Sequence, residues 1–425
     1  MSQDALEELR RAVPASCCFL NLRSYNLDPE YAPFIGMALN QHLEQLIFSP
    51  GRAHVQDAEI LAMLRKLPER CPKLSELFLC HLWSPQPFAE ALTEIIPKLR
   101  HLTGFMHLPL ISAADLVAFA TLPRLTYLQC TLDESETPSE AFAHCPSGSP
   151  SFPALKTLDL HLHSYEHVLS FLPDVTSHDL FCLSLYCDTM PTLQQIEALF
   201  ALLASFSSRC PLRELRISAS DALDADLPLA ARTITLNMLR PLFDLQVEVL
   251  SISSFIIDID DDALEAMATA WPCLRTLNLG IFTGWGARHP PRATIRGLIP
   301  LIRHCPDISD IGYRMRTDIL DTPPAVGRPG GGVVAKQWIK LHVGDSRIDD
   351  AVKVASFLSD ICPKLCDIGS VWLNLNFSHL EGGEEEDEEE ADEMLRRWNL
   401  VTVYVPHFAM VRVQERIFTL TPTIP

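Results

Sequence analysis

One segment recurs along this chain and decides what the chain can fold into. In its clearest copy, residues 262–280, apolar residues fall at i, i+3, i+4 and i+7 from Leu264, which is one face of a helix. A proline ends that helix, and Leu274, Leu277 and Leu279 follow in the strand-like pattern L-x-x-L-x-L. One such unit cannot bury its own apolar side, so it needs stacked copies of itself.

Twelve copies of the strand pattern are present. They begin at Leu43, Leu74, Leu99, Leu125, Leu155, Leu180, Leu212, Val247, Leu274, Ile308, Trp338 and Leu365. Their mean spacing is about 29 residues, at the upper edge of the range for leucine-rich repeats. A candidate thirteenth copy begins at Cys17. The repeated strand–helix–strand order predicts an α/β leucine-rich-repeat solenoid, a horseshoe with a concave parallel sheet and convex helices.

The predicted solenoid covers residues 43–375. Residues 1–42 are expected to form an N-terminal cap or irregular start that holds the candidate first repeat. Residues 376–396 contain a run of acidic residues and are predicted to be disordered. Residues 397–425 form a C-terminal tail that is apolar enough to pack back onto the repeats.

Three polar residues are expected to begin helices of the repeats. Asp262 is predicted to cap the helix of the clearest copy, and Thr294 the segment after it. Asp349 or Asp350 is predicted to cap the last helix of the repeats.

Charge and composition exclude several classes of function. The formal net charge is −20, which disfavours binding to the phosphate backbone of nucleic acid. No run of about 18 apolar residues predicts a membrane helix, and no secretory signal is recognisable. Thirteen cysteines without such a signal predict free thiols and an intracellular location, in cytoplasm or nucleus.

The residues between the leucines of each strand are expected to face the concave side. That face is long enough for a protein partner, and aromatic and arginine side chains dominate such contacts. The predicted partner-binding residues are Phe78, Tyr127, Asp159, His161, Tyr186, Arg216 and Arg314.

Motifs of catalysis or metal binding are weak in this chain. His161, His163 and His167 lack a cysteine or carboxylate at metal-ligand spacing, and Cys362 and Cys366 lack a second pair. We therefore predict no metal, no cofactor and no enzymatic activity. The least favoured alternative is a hydrolase that uses Ser346, which follows Gly-Asp at the end of a strand.

Several segments resemble a known family. The form Cys-Pro-x-Leu-x-x-Leu at Cys71 and Cys362, with an Ile variant at Cys305, resembles the cysteine-containing class of leucine-rich repeats. Residues 261–280, 294–311 and 341–368 look like the repeat regions of F-box/leucine-rich-repeat-like proteins of mushroom-forming fungi. The resemblance covers roughly residues 43–371, and no F-box is recognisable ahead of them.

In that family, the repeats present a protein target while the F-box docks onto the adaptor of a cullin–RING ubiquitin ligase. The resemblance therefore implies a non-catalytic, substrate-recognising solenoid whose partners include a protein target and that adaptor. The alternative is a stand-alone leucine-rich-repeat scaffold or inhibitor without a link to ubiquitin.

Overall fold

The computed structural model of the chain describes residues 23–27, 39–48, 57–79, 85–132, 151–220, 232–281, 290–321, 328, 330–372 and 385–420. The chain divides into two compact units. The first unit comprises Met1–Asp188 and Ser208–Pro211, and the second comprises Thr189–Ser207 and Leu212–Pro425.

The described part of the first unit holds seven strands that pair in chain order, each parallel to the next. They are β1 (Ser24–Leu27), β2 (Gln45–Phe48), β3 (Glu76–Leu79), β4 (Gly104–Ile111), β5 (Tyr127–Leu132), β6 (Thr157–Leu162) and β7 (Cys182–Cys187). The helices between them are α1 (Asp57–Leu64), α2 (Leu67–Arg70), α3 (Pro85–Ile95), α4 (Ala113–Ala120) and α5 (Tyr165–Phe171).

The described part of the second unit repeats this arrangement with six strands, again parallel. These are β8 (Glu214–Ala219), β10 (Val249–Ile252), β12 (Thr276–Leu279), β13 (Asp310–Tyr313), β14 (Ile339–Gly344) and β15 (Leu365–Ser370). Its helices are α6 (Leu193–Ala204), α7 (Leu236–Leu239), α8 (Asp261–Ala270), α9 (Leu298–His304), α10 (Ala351–Ile361) and α11 (Glu385–Leu420). Strands β9 (Thr233–Thr235) and β11 (Ile256–Asp258) form a separate parallel pair.

Short 3-10 helices complete several of the turns. They span Ile96–Lys98, Leu172–Asp174, Ser205–Ser208, Arg240–Asp244, Ile295–Gly297 and Asp318–Asp321. Three of them carry a proline at the first or second position, where a missing backbone N–H breaks no helical bond.

Buried and half-exposed residues alternate along the strands, and this alternation shows which side of the sheet faces the core. In β5 and β6 every second residue is buried and the residues between them are half-exposed. Leu158 and Leu277, at equivalent positions in the two units, are both 0% exposed. The predicted α/β leucine-rich-repeat fold, with parallel strands and helices packed on one side of them, is confirmed.

Strand register corrects one of the expected repeat positions and burial corrects part of another. Leu77 pairs with Phe105, so the copy in β4 begins at Leu102 rather than Leu99. In the copy at Trp338, Leu341 pairs with Ile311 as the pattern predicts, but Trp338 is 66% exposed and Ile339 is buried instead. The expected copy at Cys17 lies outside the described residues. The other ten copies have the register that the leucine pattern predicts.

The helix starts confirm two of the predicted N-terminal caps and show that a third cap is a different residue from the one predicted. Thr294 accepts a hydrogen bond from the N–H of Arg296, and Asp350 accepts bonds from the first turn of α10. Helix α8 is capped by Asp260, whose side chain accepts from the N–H of Ala263. Asp262 was the wrong choice, because a cap must stand before the first helical residue and α8 already begins at 261.

The C-terminal region differs from the expected disordered run and separate tail. Helix α11 spans Glu385–Leu420 and therefore includes the last twelve residues of the segment 376–396. Residues 376–384 lie outside the described part. Trp398, 1% exposed, packs inward and donates a hydrogen bond to the carbonyl of Ser346. The apolar face of the tail therefore does pack back. The acidic residues from Glu385 onward form the first turns of the same helix.

Candidate functional site

The side chains between the buried residues of each strand form what we call the open face of each unit. In the first unit, register places Gln129 beside Asp159 and Asp159 beside Ser184. One step further along, His161 stands beside Tyr186. Five predicted binding residues, Phe78 to Tyr186, thus lie on the open face of this one unit.

His161 and Tyr186 form the best-defined contact of this face. Their ring centroids lie 4.4 Å apart with an interplanar angle of 86°, an edge-to-face arrangement. The Nε2 atom of His161 lies 2.7 Å from Oδ1 of Asp188, within hydrogen-bond distance. Tyr186 remains 38% exposed, so its ring is open to solvent. The carboxylate and the ring therefore hold the imidazole in place while Tyr186 stays accessible.

Tyr127 lies on the same face and is half-buried. Its hydroxyl donates a hydrogen bond to Oε1 of Gln129 at 2.7 Å. Burial raises the pKa of Tyr127, and the negative charge of Asp159 raises it further. The phenol is therefore neutral at physiological pH and can offer a ring face and a hydroxyl to a partner.

The ring of Phe78 lies above Gly104, the position on β4 that has no side chain. Glu76, Gly104 and Tyr127 are in register on β3, β4 and β5. A Cβ at Gly104 would lie 3.7 Å from Cε1 of Phe78, so the ring occupies the space above this glycine. The ring is thereby directed toward the strand that carries Tyr127.

The open face of the second unit has a different character. Arg216 contacts Glu214 at 2.8 Å, and the Nε2 atom of His342 lies 3.4 Å from Oδ1 of Asp310. Arg213 pairs with Glu248 at 2.5 Å. Charged groups of this face are thus largely neutralised within the chain.

Arg314 does not belong to the open surface, contrary to the prediction. Its side chain is 9% exposed, and its guanidinium forms an ion pair with Asp345, whose side chain is 0% exposed. The arginine follows the end of β13, where the chain turns inward, and a carboxylate 31 residues later lies within reach. Arg314 therefore holds two repeats together.

Ser346 has a structural role that fits poorly with nucleophilic catalysis. It is 2% exposed, and its hydroxyl donates to the carbonyl of Val343 and accepts from the N–H of Met315. Its own carbonyl accepts the indole N–H groups of Trp372 and Trp398. Among the described residues, both hydrogen-bond partners of this hydroxyl are backbone groups, and a side chain this buried is closed to a substrate.

Two polar residues of these faces were not among the predicted partner-binding residues. Asp188, the partner of His161, follows β7 and gives no sequence signal beyond its position after the strand. Asn278 is 8% exposed, and its Oδ1 has no hydrogen-bond partner in the described structure. A Cβ at Gly312 would lie 2.3 Å from that oxygen, so the absence of a side chain at 312 is what accommodates the amide.

The described ranges hold neither a metal-binding cluster nor a membrane-spanning helix. Within them, no three His, Cys, Asp or Glu side chains are arranged so that they could hold a metal ion. No helix there combines the length and apolar character that a bilayer crossing requires.

Comparisons with known proteins add little about function. No protein-family model matches the sequence, and no curated protein matches it. Similar solved structures include a chain of the yeast Rad7 and Elc1 complex, with 16% identity and a TM-score of 0.44 over 87% of this chain and 83% of that one. Another is a Bacteroides fragilis protein, with 15% identity and a TM-score of 0.35 over 72% of this chain and 78% of that one. Values this low show neither a shared family nor a shared function.

Proposed function

We propose that this chain is a non-catalytic protein-binding solenoid and that the open face of the first unit holds the partner. The observation that carries the proposal is that the open face presents three aromatic side chains, Phe78, Tyr127 and Tyr186, of which the first two are half-exposed and the third is exposed. Tyrosine and other aromatic residues dominate the energetics of protein interfaces because they bury a large area at a low cost in entropy.

The dimensions of the face suit a folded or extended protein segment. Neighbouring strands lie about 4.8 Å apart, so β3 to β7 span roughly 20 Å. The polar groups between the aromatics, Asp159, His161 and Gln129, supply hydrogen-bond donors and acceptors around an apolar centre. This is the composition expected of a protein interface rather than of a small-molecule pocket.

A paired substitution tests the proposal. Proteins captured from a cell extract by the wild-type chain are compared quantitatively with those captured by Tyr127→Ala/Tyr186→Ala. The proposal predicts that specific partners are lost from the variant. The control is Val403→Ala/Met410→Ala, which removes two exposed apolar side chains from α11 in the second unit. Full retention of every partner by the tyrosine variant would refute the proposal.

The finer proposal is that the chain works as the substrate-recognition part of an F-box-type ubiquitin-ligase adaptor. It rests on the resemblance of the repeat segments at 294–311 and 341–368. Co-precipitation of this chain with the F-box-binding adaptor of a cullin–RING ligase tests it. Direct binding is the expected result. A folded chain that retains its target but does not bind the adaptor would leave a scaffold or inhibitor as the function.

A further inference from the structure

A cavity in the second unit lies apart from the open face. Its volume is about 210 Å³, and it lies between the end of α9 and residues 333–336. Ile302, Ile308 and Ala335 form an apolar floor, each less than 9% exposed. The volume is below the roughly 300–1,000 Å³ of small-molecule sites, which favours one or two side chains of a protein as the occupant.

A glycine turn at residues 330–332 leads directly into residues 333–336, which line the cavity. Gly331 and Gly332 have φ values of +59° and +90°, in the region that favours glycine. Gly330 packs against Ile361, since a Cβ there would lie 2.4 Å from Cγ2 of that residue. The N–H of Ala335 donates to the carbonyl of Ile361 at 2.7 Å. Gly330 and Ala335 thus both contact Ile361, the last residue of α10. These contacts fix the position of the residues between 330 and 335, which include the cavity-lining Val333 and Val334.

Two cations stand at the rim of the cavity. Arg303 and Lys336 line it, and neither side chain makes a hydrogen bond or an ion pair with the described residues. The ammonium of Lys364 donates to the carbonyl of Lys336 at 2.7 Å and adds a third positive charge nearby. Asp307 is the adjacent acid in sequence, but it does not line the cavity, and its Oδ1 lies 3.4 Å from the amide of Gln337.

The local charge runs against the charge of the whole chain, which is −20. At physiological salt, charges are screened beyond about 8 Å, so the rim cations decide what binds here. Exposed apolar side chains occur here as well. Val334, which lines the cavity, is 37% exposed, and Trp338, two residues beyond Lys336 in the sequence, is 66% exposed. An apolar floor, an exposed valine and unpaired cations together describe a docking site.

We propose that this cavity, the 303–336 pocket, binds an acidic and apolar peptide segment of a protein partner. An apolar side chain of the segment fills the floor, and its flanking carboxylates pair with Arg303 and Lys336. The same cations repel a basic segment, so the pocket discriminates by charge. This proposal concerns a surface distinct from the open face of the first unit, and either can fail without the other.

Fluorescence anisotropy with the full chain tests the pocket. The probe is a fluorescein-labelled peptide of sequence EDLFED, compared with the charge-reversed peptide KRLFRK and with EDGSED, which lacks the apolar pair. We expect saturable binding of EDLFED, weaker binding of EDGSED and none of KRLFRK. Binding of KRLFRK as tight as that of EDLFED, or no saturation by EDLFED up to about 1 mM, would overturn the proposal.

Matched variants locate the binding. Arg303→Glu/Lys336→Glu should weaken EDLFED binding at least about tenfold, because two attractive contacts become repulsive. The control Arg275→Glu/Lys340→Glu reverses two exposed cations elsewhere in the second unit and should leave the affinity unchanged.

A second pair tests the apolar contribution with little risk to folding. Val334→Asp should weaken binding, whereas Val352→Asp, at a 52% exposed position on α10, should not. Equal losses in the variants and their controls would assign the binding to general charge and refute a built pocket. Tyr127→Ala/Tyr186→Ala should bind EDLFED as the wild type does, which separates this result from the proposed function.

Discussion

On the open face of the first unit, Tyr127 and Tyr186 offer accessible rings, and the contact of His161 with Asp188 is exposed to solvent. On the second unit, Arg216 pairs with Glu214, while Arg314 is drawn beneath the surface by Asp345. The two units share strand register, repeat length and core leucines, so the difference arises only from the residues between the leucines. A repeat of this kind fixes the backbone and leaves the residues of the open face free to vary. That face can therefore either expose groups that bind a partner or pair its polar groups within the chain.

The largest expected effect on stability comes from breaking the buried contact of Arg314 with Asp345, and breaking the exposed contact of His161 with Asp188 should cost far less. Asp345→Ala should destabilise the chain by about 3–5 kcal/mol, because it leaves the guanidinium of Arg314 buried without its partner. Asp188→Ala, which breaks the exposed pair with His161, should cost less than about 1 kcal/mol. Denaturant unfolding of both variants provides the comparison. Similar costs would show that the two faces do not differ as described.

The cores of the two units should respond alike. Leu158→Ala in β6 and Leu277→Ala in β12 each remove a side chain that is 0% exposed. Each should therefore cost about 2–5 kcal/mol of unfolding free energy. A near-neutral result for either leucine would mean that its strand is out of register.

Alkaline pH should lower the stability of the fold through the buried cysteines that follow the ends of helices. Burial raises the pKa of Cys362 to about 12 from an ordinary value of 9.0, and it raises that of Cys71 in the first unit to about 11. The folded state holds these protons longer than the unfolded state. The stability that depends on them is therefore complete below about pH 9 and falls as pH rises toward the folded values.

Unfolding measured between about pH 8 and pH 10.5 tests this linkage. The wild type should lose stability with a slope of up to about 1.4 kcal/mol per pH unit for each thiol. Cys362→Ala should lose less over the same range, whatever its stability at pH 8. The exposed Cys366→Ala should retain the wild-type slope. Parallel curves for wild type and Cys362→Ala would contradict the assignment.

The smallest expected effect concerns the aromatic residues themselves. Tyr186→Ala should change the unfolding free energy by less than about 1 kcal/mol, since the ring is 38% exposed and stands edge-to-face with the His161 ring. A cost above about 2 kcal/mol would indicate that the ring supports the fold, and it would weaken the proposal that the ring is kept accessible for a partner.

Sequence reasoning succeeded where the repeat acts locally. Leu274 and Leu277 fix the position of β12 because alternate side chains of a strand must enter the core. It placed the copy in β4 three residues early because both Leu99 and Leu102 are buried, and only strand pairing distinguishes them.

The remaining errors have a long-range cause. Arg314 was predicted to be exposed, but its partner Asp345 lies 31 residues away, a distance that no local pattern reports. The acidic start of α11 was predicted to be disordered on composition alone. There Glu393 contacts Arg396 and Arg397, and these arginines lower the pKa of Glu393 to about 2. Favourable pairs one turn apart thus support a helix that composition disfavours.

Site-specific photo-crosslinking tests the central claim most directly. A photoreactive amino acid at Thr157, which stands on the open face beside Tyr127, is compared with one at Glu94, an exposed position on α3 of the same unit. The account predicts protein adducts from position 157 that disappear in the Tyr127→Ala/Tyr186→Ala background, and none from position 94. Adducts that form equally at both positions, or that persist without the two tyrosines, would contradict the claim that this face is where the chain holds its partner.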